Sequence, residues 1–523
     1  MTGSKAPTSA EAHSRAGVVQ LLATVFVTGA AVMALEIVGT RIIAPVFGIN
    51  LFVWTALLSV TLASLALGYY VGGRQVDRRP TFQVLGWFVV MAAVLLAIAR
   101  ALAYAVLAST ADLGPRLGPL LAATLLFAPS LSALGAAGPV AARLALRDLR
   151  AAGRTTGAVY AVSTLGSLAS TIAMGFWIIP NVDTYRIIVA VAIVLGLLGA
   201  GLLRKGTRIK AAAVPLLSIF AATSVGEPGL PAGLRILGRA QSFYGRVEAI
   251  DDEARGVRLL RADHSIIGAI HSRDGSAAFS FLHILEAVRF ARPDARSVLQ
   301  IGLGTGALAG SLEKEGLQVD VVELDPTVVH FARQYFGFSP RGRVSIDDGR
   351  TFIRHATRRY DVIVHDTFTG GTTPEHLLSV EVVRRLRELL MPRGILVLNF
   401  AGYRTGPQAE ASFAVARTLR AVFSTVRAFW DEPIASGGES VGNIAFFAAD
   451  GPVAFEIPPN AHFENPACAR IVRAFQDWEV LRDLPAGPII TDAHNTLTRL
   501  QLPIAEAHFA AMAELLPRAL WLN

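Results

Sequence analysis

Long apolar stretches dominate the first 225 residues of the chain. Six of them reach the roughly 17–25 residues that an α-helix needs to cross a bilayer. They cover residues 18–35, 51–72, 82–107, 117–140, 156–179 and 187–203. A seventh, Ala211–Val225, has 15 residues with Pro215 inside it. We predict a flexible N-terminus over 1–17 and a membrane domain of six or seven helices over 18–225.

The second half of the chain carries shorter apolar runs. Residues 226–240 are rich in Gly and Pro and predict a linker. Two alternating stretches bounded by turn residues predict a small β-rich subdomain over 241–278. From residue 279 to 450 strand and helix patterns alternate, which predicts an α/β domain of Rossmann-like type with a parallel sheet. Residues 451–523 predict a helical tail, with helices near 468–484 and 504–516.

The formal charge of +8 suggests nucleic-acid binding until the charge is divided by region. Residues 1–230 have a net charge of +10, and residues 231–523 have a net charge of −2. The basic residues cluster in the short loops that follow the second, fourth and sixth apolar stretches. They therefore indicate a lipid bilayer as partner, with no nucleic acid.

The same basic loops predict an orientation. Positive-inside counting places the N-terminus and all three basic loops in the cytoplasm. Six spans would leave the C-terminal half in the cytoplasm, whereas a seventh would place it outside. We expect a multi-pass protein of the cell membrane with its C-terminal half in the cytoplasm. The single cysteine, Cys468, excludes an internal disulfide and a cysteine-based zinc or iron–sulfur site, and we expect no metal.

The densest candidate chemistry begins with the glycines Gly302, Gly304 and Gly306, directly after a strand and before a helix. Glycines there allow a tight turn and close backbone approach to a ligand, and the following helix N-terminus offers free N–H groups. Glu323 ends the next strand, where a carboxylate can accept hydrogen bonds from both ribose hydroxyls. A glycine motif alone is often only a turn, but this order of strand, glycines, helix, strand and acid predicts a nucleoside site.

Two further acids follow strands in the same domain. Asp348, followed by Gly349, comes after a short strand and could reach an adenine amino group; alone, such a residue is more often a turn Asp. Asp366 ends a central strand at the carboxyl edge of the sheet, where ligands of open α/β folds bind. Its alternative role is a helix cap or a loop residue.

The motifs of the α/β domain occur in the order found in one known protein family. GLGTG, VVELDP, DDGRTF, YDVIVHD and GILVLNF together resemble spermidine synthases, which are aminopropyltransferases with a methyltransferase-like fold. The membrane half, at residues 34–48, 65–74 and 160–171, is similar to a branch in which such a domain is fused to a multi-span region. The resemblance implies a putrescine-like amine acceptor, decarboxylated S-adenosylmethionine as co-substrate, Asp366 as the base, and a homo-oligomer.

The chain also departs from that family on the substrate side. Thr305 stands where the family has an Asp that holds the aminopropyl ammonium, and Tyr244 is followed by Gly245 where the family has Gln. Asp263–His264 occupies a Leu-Asp-Gly stretch, and Thr369 replaces a second carboxylate. We treat Tyr244, Asp263, His264 and Thr369 as candidate substrate residues. By this comparison the chain keeps the residues expected to bind the nucleoside, but it lacks several residues that bind putrescine in the family.

Three functions remain open from the sequence. The first is a membrane-anchored aminopropyltransferase that releases methylthioadenosine. The second is a methyltransferase that uses intact S-adenosylmethionine. The third is a non-catalytic polyamine- or nucleoside-binding module coupled to a transport-like membrane region. Retention of Asp366 and Glu323 counts against the third, whereas the missing diamine-binding acids count for it.

Overall fold

The computed structural model describes residues 15–48, 51–203, 229–431, 441–517 and 520. The chain divides into two compact units, Met1–Gly229 together with Arg518–Asn523, and Leu230–Pro517.

The first unit is helical, and six of its helices are long and apolar enough to cross a membrane. This confirms the six apolar stretches predicted from sequence, while Ala211–Val225 lies outside the described residues. The main helices are α1 (Arg15–Phe47), α2 (Leu51–Arg78), α3 (Phe82–Thr110), α4 (Gly114–Gly135), α5 (Ala137–Ala145), α6 (Ala152–Ala173) and α7 (Thr184–Leu202). A π-helical turn, Met174–Ile178, directly follows α6.

Small residues bring α1 and α6 into close contact. A side chain at Gly29 would collide with Ser163, and one at Gly166 would collide with the backbone of Phe26. The Ser167 hydroxyl donates to the Gly29 carbonyl at 3.0 Å. Such small-residue interfaces are how apolar helices pack where burial of hydrophobic surface gives little driving force.

The second unit begins with a four-stranded antiparallel sheet in the order β1-β2-β3-β4. Its strands are β1 (Leu234–Gln241), β2 (Arg246–Asp252), β3 (Val257–Ala262) and β4 (Ser265–His271). The linker expected at 226–240 is thus wrong over its last seven residues, because residues 234–240 belong to β1, which pairs with β2. The turn-forming residues stop at Gly233, and the alternating sequence after it suits a strand.

An eight-stranded sheet follows, in the order β12-β10-β11-β9-β8-β5-β6-β7. Pairing is parallel among β5 to β9, as predicted, but β11 is antiparallel to both β9 and β10. Only residues 431–441 join β10 to β11, too few for the crossover that parallel neighbours need. The strands are β5 (Ser297–Ile301), β6 (Gln318–Glu323), β7 (Val344–Ile346), β8 (Tyr360–His365), β9 (Leu390–Gly402), β10 (Thr425–Trp430), β11 (Gly442–Ala449) and β12 (Glu479–Val480).

Helices cover both faces of this sheet. Alternate strand residues enter opposite cores: Leu299 and Ile363 pack on one side, and Val298 and Val362 on the other. The helices are α8 (Ser280–Glu286), α9 (Val288–Ala291), α10 (Ala307–Lys314), α11 (Pro326–Tyr335), α12 (Gly349–His355), α13 (Val380–Glu388), α14 (Glu410–Arg420), α15 (Pro466–Ala474), α16 (Leu497–Leu500) and α17 (Leu502–Leu515). With both faces covered, the loops at the carboxyl edge are left to form a site.

The tail after residue 450 is only partly helical. The helix expected near 468–484 ends at Ala474, and Glu479–Val480 adds β12 to the sheet edge beside β10. The helix expected at 504–516 is α17, Leu502–Leu515.

Candidate active site

The glycine loop between β5 and α10 adopts a backbone that requires glycine. Gly302, Gly304 and Gly306 have φ of 90°, 56° and 81°, in the region that other residues rarely occupy. A Cβ on Gly302 would collide with the backbone carbonyl of Asp366, and one on Gly304 would lie 2.9 Å from the Ile267 carbonyl oxygen. The loop is therefore pressed between the end of β8 and strand β4.

Glu323 faces the glycine loop from the end of β6. Its carboxylate accepts hydrogen bonds from the backbone N–H groups of Leu303 and Asp325, each at 2.9 Å. Burial raises the pKa of Glu323, and these two N–H groups oppose that rise. A carboxylate has about four acceptor positions, so Glu323 can also accept from a ribose, and that contact stays a prediction.

Asp348 caps the N-terminus of helix α12. Its Oδ1 accepts from the Thr351 N–H at 2.9 Å and caps α12, while Oδ2 lies 3.3 Å from Nε2 of His376. Partial burial acts to raise its pKa, but the hydrogen bonds from Thr351 and His376 hold the pKa of Asp348 below its usual value. Gly349 begins the same helix and packs against Ile301. Contact of Asp348 with adenine stays a prediction.

Asp366 follows β8 and is anchored beside the glycine loop. Its N–H donates to the Ile301 carbonyl at 2.9 Å, and its Oδ1 accepts from Nδ2 of Asn399 at 2.9 Å. Burial raises the pKa of Asp366 to about 6, although the Asn399 hydrogen bond lowers it. In the described part of the chain its carboxylate caps no helix, which leaves it available to a ligand.

The sequence analysis did not predict Asn399 as a site residue. It lies in β9, is fully buried, and its Oδ1 has no hydrogen-bond partner among the described residues. The available signal was an amide within the apolar run of β9, since buried polar groups are normally satisfied or functional. Asn399 orients the Asp366 carboxylate.

Tyr244 lies in the turn between β1 and β2 and is half exposed. Burial and the carboxylates of Asp325, Asp348 and Glu323 raise its pKa. The Tyr244 N–H donates to the Ser242 hydroxyl at 2.9 Å, and that hydroxyl donates to the Asp325 carboxylate at 2.6 Å, so this turn is tied to the segment that follows Glu323.

Asp263 and His264 form the tight turn between β3 and β4. Asp263 has φ of 46°, and its Oδ1 accepts from the Arg246 N–H at 2.9 Å, which ties this turn to the start of β2. A side chain at Gly245 would collide with the Asp263 carboxylate, which gives a steric reason for glycine after Tyr244. The His264 ring stacks on Phe509, with centroids 4.7 Å apart.

The two threonines that replace family acids lie in different surroundings. Thr305 is buried, and its methyl group packs close to Gly268. Thr369 lies in an exposed turn, where its carbonyl accepts from the Thr372 hydroxyl at 2.9 Å. Neither places a charge beside Asp366.

A cluster capable of holding a metal lies elsewhere in the fold. His283, Glu286 and Cys468 are buried, with one ligand atom each within 4.8 Å of the others. Arg289 lies 3.4 Å from Glu286 and offsets its charge. Burial raises the pKa of Cys468 to about 12, so it is a thiol at neutral pH. This cluster contributes no residue to the site around Asp366.

A known family model matches the segment that carries this site. Residues 283–431 match the family model described as the spermine/spermidine synthase domain. The matched segment contains the glycine loop, Glu323, Asp348, Asp366 and Asn399. The C-terminal unit therefore carries a spermine/spermidine synthase domain, which is a transferase domain.

Two curated relatives differ in their reactions. The chain is 31% identical over 251 residues to the N-terminal histidine N-methyltransferase of Emericella nidulans, covering 43% of this chain and 44% of that protein. It is 34% identical over 134 residues to the polyamine aminopropyltransferase of Vibrio vulnificus, covering 24% of this chain and 45% of that protein. The chain thus spans less than half the length of either relative.

Among solved structures, a probable spermidine synthase from Corynebacterium glutamicum is 22% identical with a TM-score of 0.38. The alignment covers 49% of this chain and 99% of that one.

Proposed function

We propose that the C-terminal unit transfers an alkyl group from the sulfonium of an S-adenosylmethionine-derived donor to an amine nitrogen, with Asp366 as the base. The observation that carries this is the placement of Asp366. It lies next to Gly302 at the carboxyl edge of the sheet, it is oriented by Asn399, and its pKa is raised to about 6.

The chemistry requires such a group. An alkylamine has a pKa near 10 and is mostly protonated at neutral pH, so it has no lone pair for attack. Asp366 accepts the proton, a nitrogen–carbon bond forms, and the carbon–sulfur bond breaks with its electron pair going to sulfur. The sulfonium leaves as a neutral thioether, so alignment of the amine with the donor carbon supplies much of the remaining acceleration.

The nucleoside part of the donor would be held by the residues across the sheet edge. The glycine loop allows close approach of the backbone, the Glu323 carboxylate accepts from the ribose hydroxyls, and Asp348 with Gly349 lies toward the adenine. Tyr244 would lie on this side, since its turn is tied through Ser242 to Asp325, two residues after Glu323.

Aminopropyl transfer to a putrescine-like polyamine is the first form of this reaction. The matched family model and the aminopropyltransferase relatives support it. The donor is then decarboxylated S-adenosylmethionine, and the released product is methylthioadenosine.

Methyl transfer from intact S-adenosylmethionine is the second form, and a specific observation favours it. Thr305 is buried against Gly268 and leaves no carboxylate at the loop position where spermidine synthases hold the aminopropyl ammonium. The relative that covers the larger share of this chain carries a methyltransferase name.

Product analysis separates the two forms. Purified full-length protein is incubated with either donor and a panel of amines, and the added mass identifies an aminopropyl or a methyl group. Product with only one donor assigns the reaction. The absence of product with both donors across the panel would contradict N-alkyl transfer and favour a binding module.

The six apolar helices would anchor this enzyme in the cell membrane, with the basic loops and the catalytic unit in the cytoplasm. The test is a membrane-impermeant thiol reagent applied to cells carrying Arg343→Cys, an exposed position, with buried Cys468 retained. Labelling is expected only after permeabilisation, and labelling of intact cells would reverse the orientation.

A further inference from the structure

Two helices that are far apart in the sequence meet at a buried cluster of possible metal ligands. His283 and Glu286 lie in α8, and Cys468 lies in α15, 182 positions after Glu286. Each of the three residues is at most 3% exposed. An imidazole, a carboxylate and a thiolate are the three kinds of ligand that Zn²⁺ binds in proteins. The fold therefore gathers one ligand of each kind inside a core.

The donor atoms of these side chains converge. Oε2 of Glu286 lies 3.9 Å from Nδ1 of His283 and 4.0 Å from Sγ of Cys468. All three donor atoms lie within 4.8 Å of one another. Donors bound to one tetrahedral Zn²⁺ are about 3.3–3.7 Å apart, as follows from the usual metal–ligand distances. Small side-chain movements would therefore bring the three atoms into one coordination shell.

The existing contacts of the cluster leave these donor atoms unused. Nδ1 of His283 is buried and has no hydrogen-bond partner among the described residues. The Cys468 thiol and the Glu286 carboxylate are too far apart, at 4.0 Å, for a strong hydrogen bond. A buried polar atom without a partner costs free energy, and an ion bound beside it is one of the physical reasons for such an atom. A cation between the three side chains would satisfy all three donors.

The charges around the cluster suit a divalent cation. Oε1 of Glu286 lies 3.4 Å from Nη2 of Arg289, and Arg289 also pairs with Glu315. Arg289 thus holds the carboxylate with Oε2 toward the other donors, as partners of metal-binding carboxylates commonly do. The bound cation displaces the proton of a coordinating thiol. The Glu286 carboxylate and the Cys468 thiolate then balance the two charges of the ion, while Glu315 balances Arg289.

We propose that His283, Glu286 and Cys468 bind one Zn²⁺ through Nδ1, Oε2 and Sγ, and that this ion joins α8 to α15. Mg²⁺ and Ca²⁺ prefer oxygen ligands, whereas a thiolate and an imidazole favour Zn²⁺. The sequence-based expectation of no metal rested on the cysteine count. That count rules out sites built from several cysteines, but this set needs only one.

The ion would act on the stability of the C-terminal unit. The two helices already share one apolar core, in which Ile284 and Leu285 of α8 are buried together with Ile471 and Val472 of α15. A metal bond between them links the start of the segment matched by the family model to the tail that follows the sheet. Because an ion that binds the folded chain in preference to the unfolded chain stabilises it by mass action, Zn²⁺ should raise the Tm.

A spectroscopic titration tests the site without any substitution. Purified full-length protein without a polyhistidine tag is freed of metal with a chelator and titrated with Co²⁺, which substitutes for Zn²⁺ and absorbs light. A cobalt–thiolate charge-transfer band in the near ultraviolet is expected to saturate at one Co²⁺ per chain. Since the chain has a single cysteine, this band identifies Cys468 as a ligand. The absence of the band at about tenfold excess of Co²⁺ would overturn the proposal.

A matched pair of variants tests the histidine. His283→Gln removes the imidazole donor and is expected to weaken Co²⁺ binding by about tenfold or more. His330→Gln, at an exposed position of α11, is expected to leave Co²⁺ binding unchanged. Equal binding by the two folded variants would contradict His283 as a ligand. If His283→Gln does not fold, the thiolate band of the unaltered protein still decides.

Thermal unfolding tests the link between the helices. Zn²⁺ added to the metal-free protein is expected to raise the Tm of the unaltered chain and of His330→Gln by several degrees, and that of His283→Gln by clearly less. An unchanged Tm of the unaltered protein at saturating Zn²⁺ would overturn the stabilising role. None of these measurements uses transfer activity, so they stand apart from the test of the proposed function.

Discussion

The two sides of the site are built in different ways. On the proposed nucleoside side, Gly302, Glu323 and Asp348 each lie at or just after the end of one of three consecutive strands, so local order along the chain places them at one edge of the sheet. On the proposed acceptor side, the carboxylate of Asp366 is oriented by Asn399, which lies 33 residues further along the chain in β9. The proposed nucleoside side is therefore set by the ends of consecutive strands, whereas the orientation of the base depends on a side chain inside the neighbouring strand β9.

A side chain at Gly302 should displace both the glycine loop and Asp366. Gly302→Ala puts a Cβ at φ of 90° against the Asp366 carbonyl, so both the loop and the base must shift. We expect turnover to fall by about 100-fold or more, since small displacements of reacting groups cost that much. Gly310→Ala, in a helix position with open space around the Cβ, is the matched control. Unchanged kinetics of Gly302→Ala would contradict the assembly described here.

Glu323→Gln should affect the nucleoside side alone. The amide oxygen replaces one acceptor, but the NH₂ group faces N–H donors that the carboxylate accepted from, and ribose loses a charge-assisted hydrogen bond worth roughly 1.5–3 kcal/mol. Methylthioadenosine affinity should fall by about tenfold or more, as measured by calorimetry. Glu253→Gln, at an exposed turn, is the control. A folded Glu323→Gln protein with full affinity would limit Glu323 to its two backbone contacts.

Asn399→Ala should affect the acceptor side through Asp366. Loss of a hydrogen bond that lowers the Asp366 pKa moves that pKa upward. Because the ionised form is the base, the acidic limb of the rate–pH profile should move to higher pH. The rate should fall by about tenfold or more, because a hydrogen bond to a charged group is worth roughly 1.5–3 kcal/mol. An unmoved limb would show that Asn399 does not orient the base.

The buried carboxylate of Asp366 should lower the stability of the folded protein at neutral pH. The pKa of Asp366 is raised from 3.8 to about 6 in the folded protein, so its ionised form disfavours folding above pH 6. The penalty fades as pH falls through 6 toward 4 and the folded protein takes up the proton. Asp366→Asn should therefore raise the apparent Tm at pH 7.5 by a few degrees, and the gain should vanish near pH 4. A variant less stable than the original at pH 7.5 would contradict the buried charge.

Sequence patterns predicted the donor side because its determinants are local. Strand ends, glycines and acids recur at fixed places in an α/β sheet, and the structure brings Gly302, Gly304, Glu323 and Asp366 to one edge. Asn399 escaped prediction because its partner lies on the neighbouring strand. The packing of α17 on Ser265 and Gly371 depends on contacts far apart in sequence, and the antiparallel β10 and β11 follow from a short connection that the apolar pattern does not encode.

The most direct test of the central claim is a rate–pH profile of Asp366→Asn beside the unaltered protein, with methylthioadenosine affinity measured on both. General-base catalysis typically contributes about 10²–10⁴-fold. We expect turnover at neutral pH to fall by that amount while nucleoside affinity holds, with the deficit shrinking as pH rises and free amine becomes abundant. Equal rates of the two proteins at neutral pH would show that Asp366 is not the base.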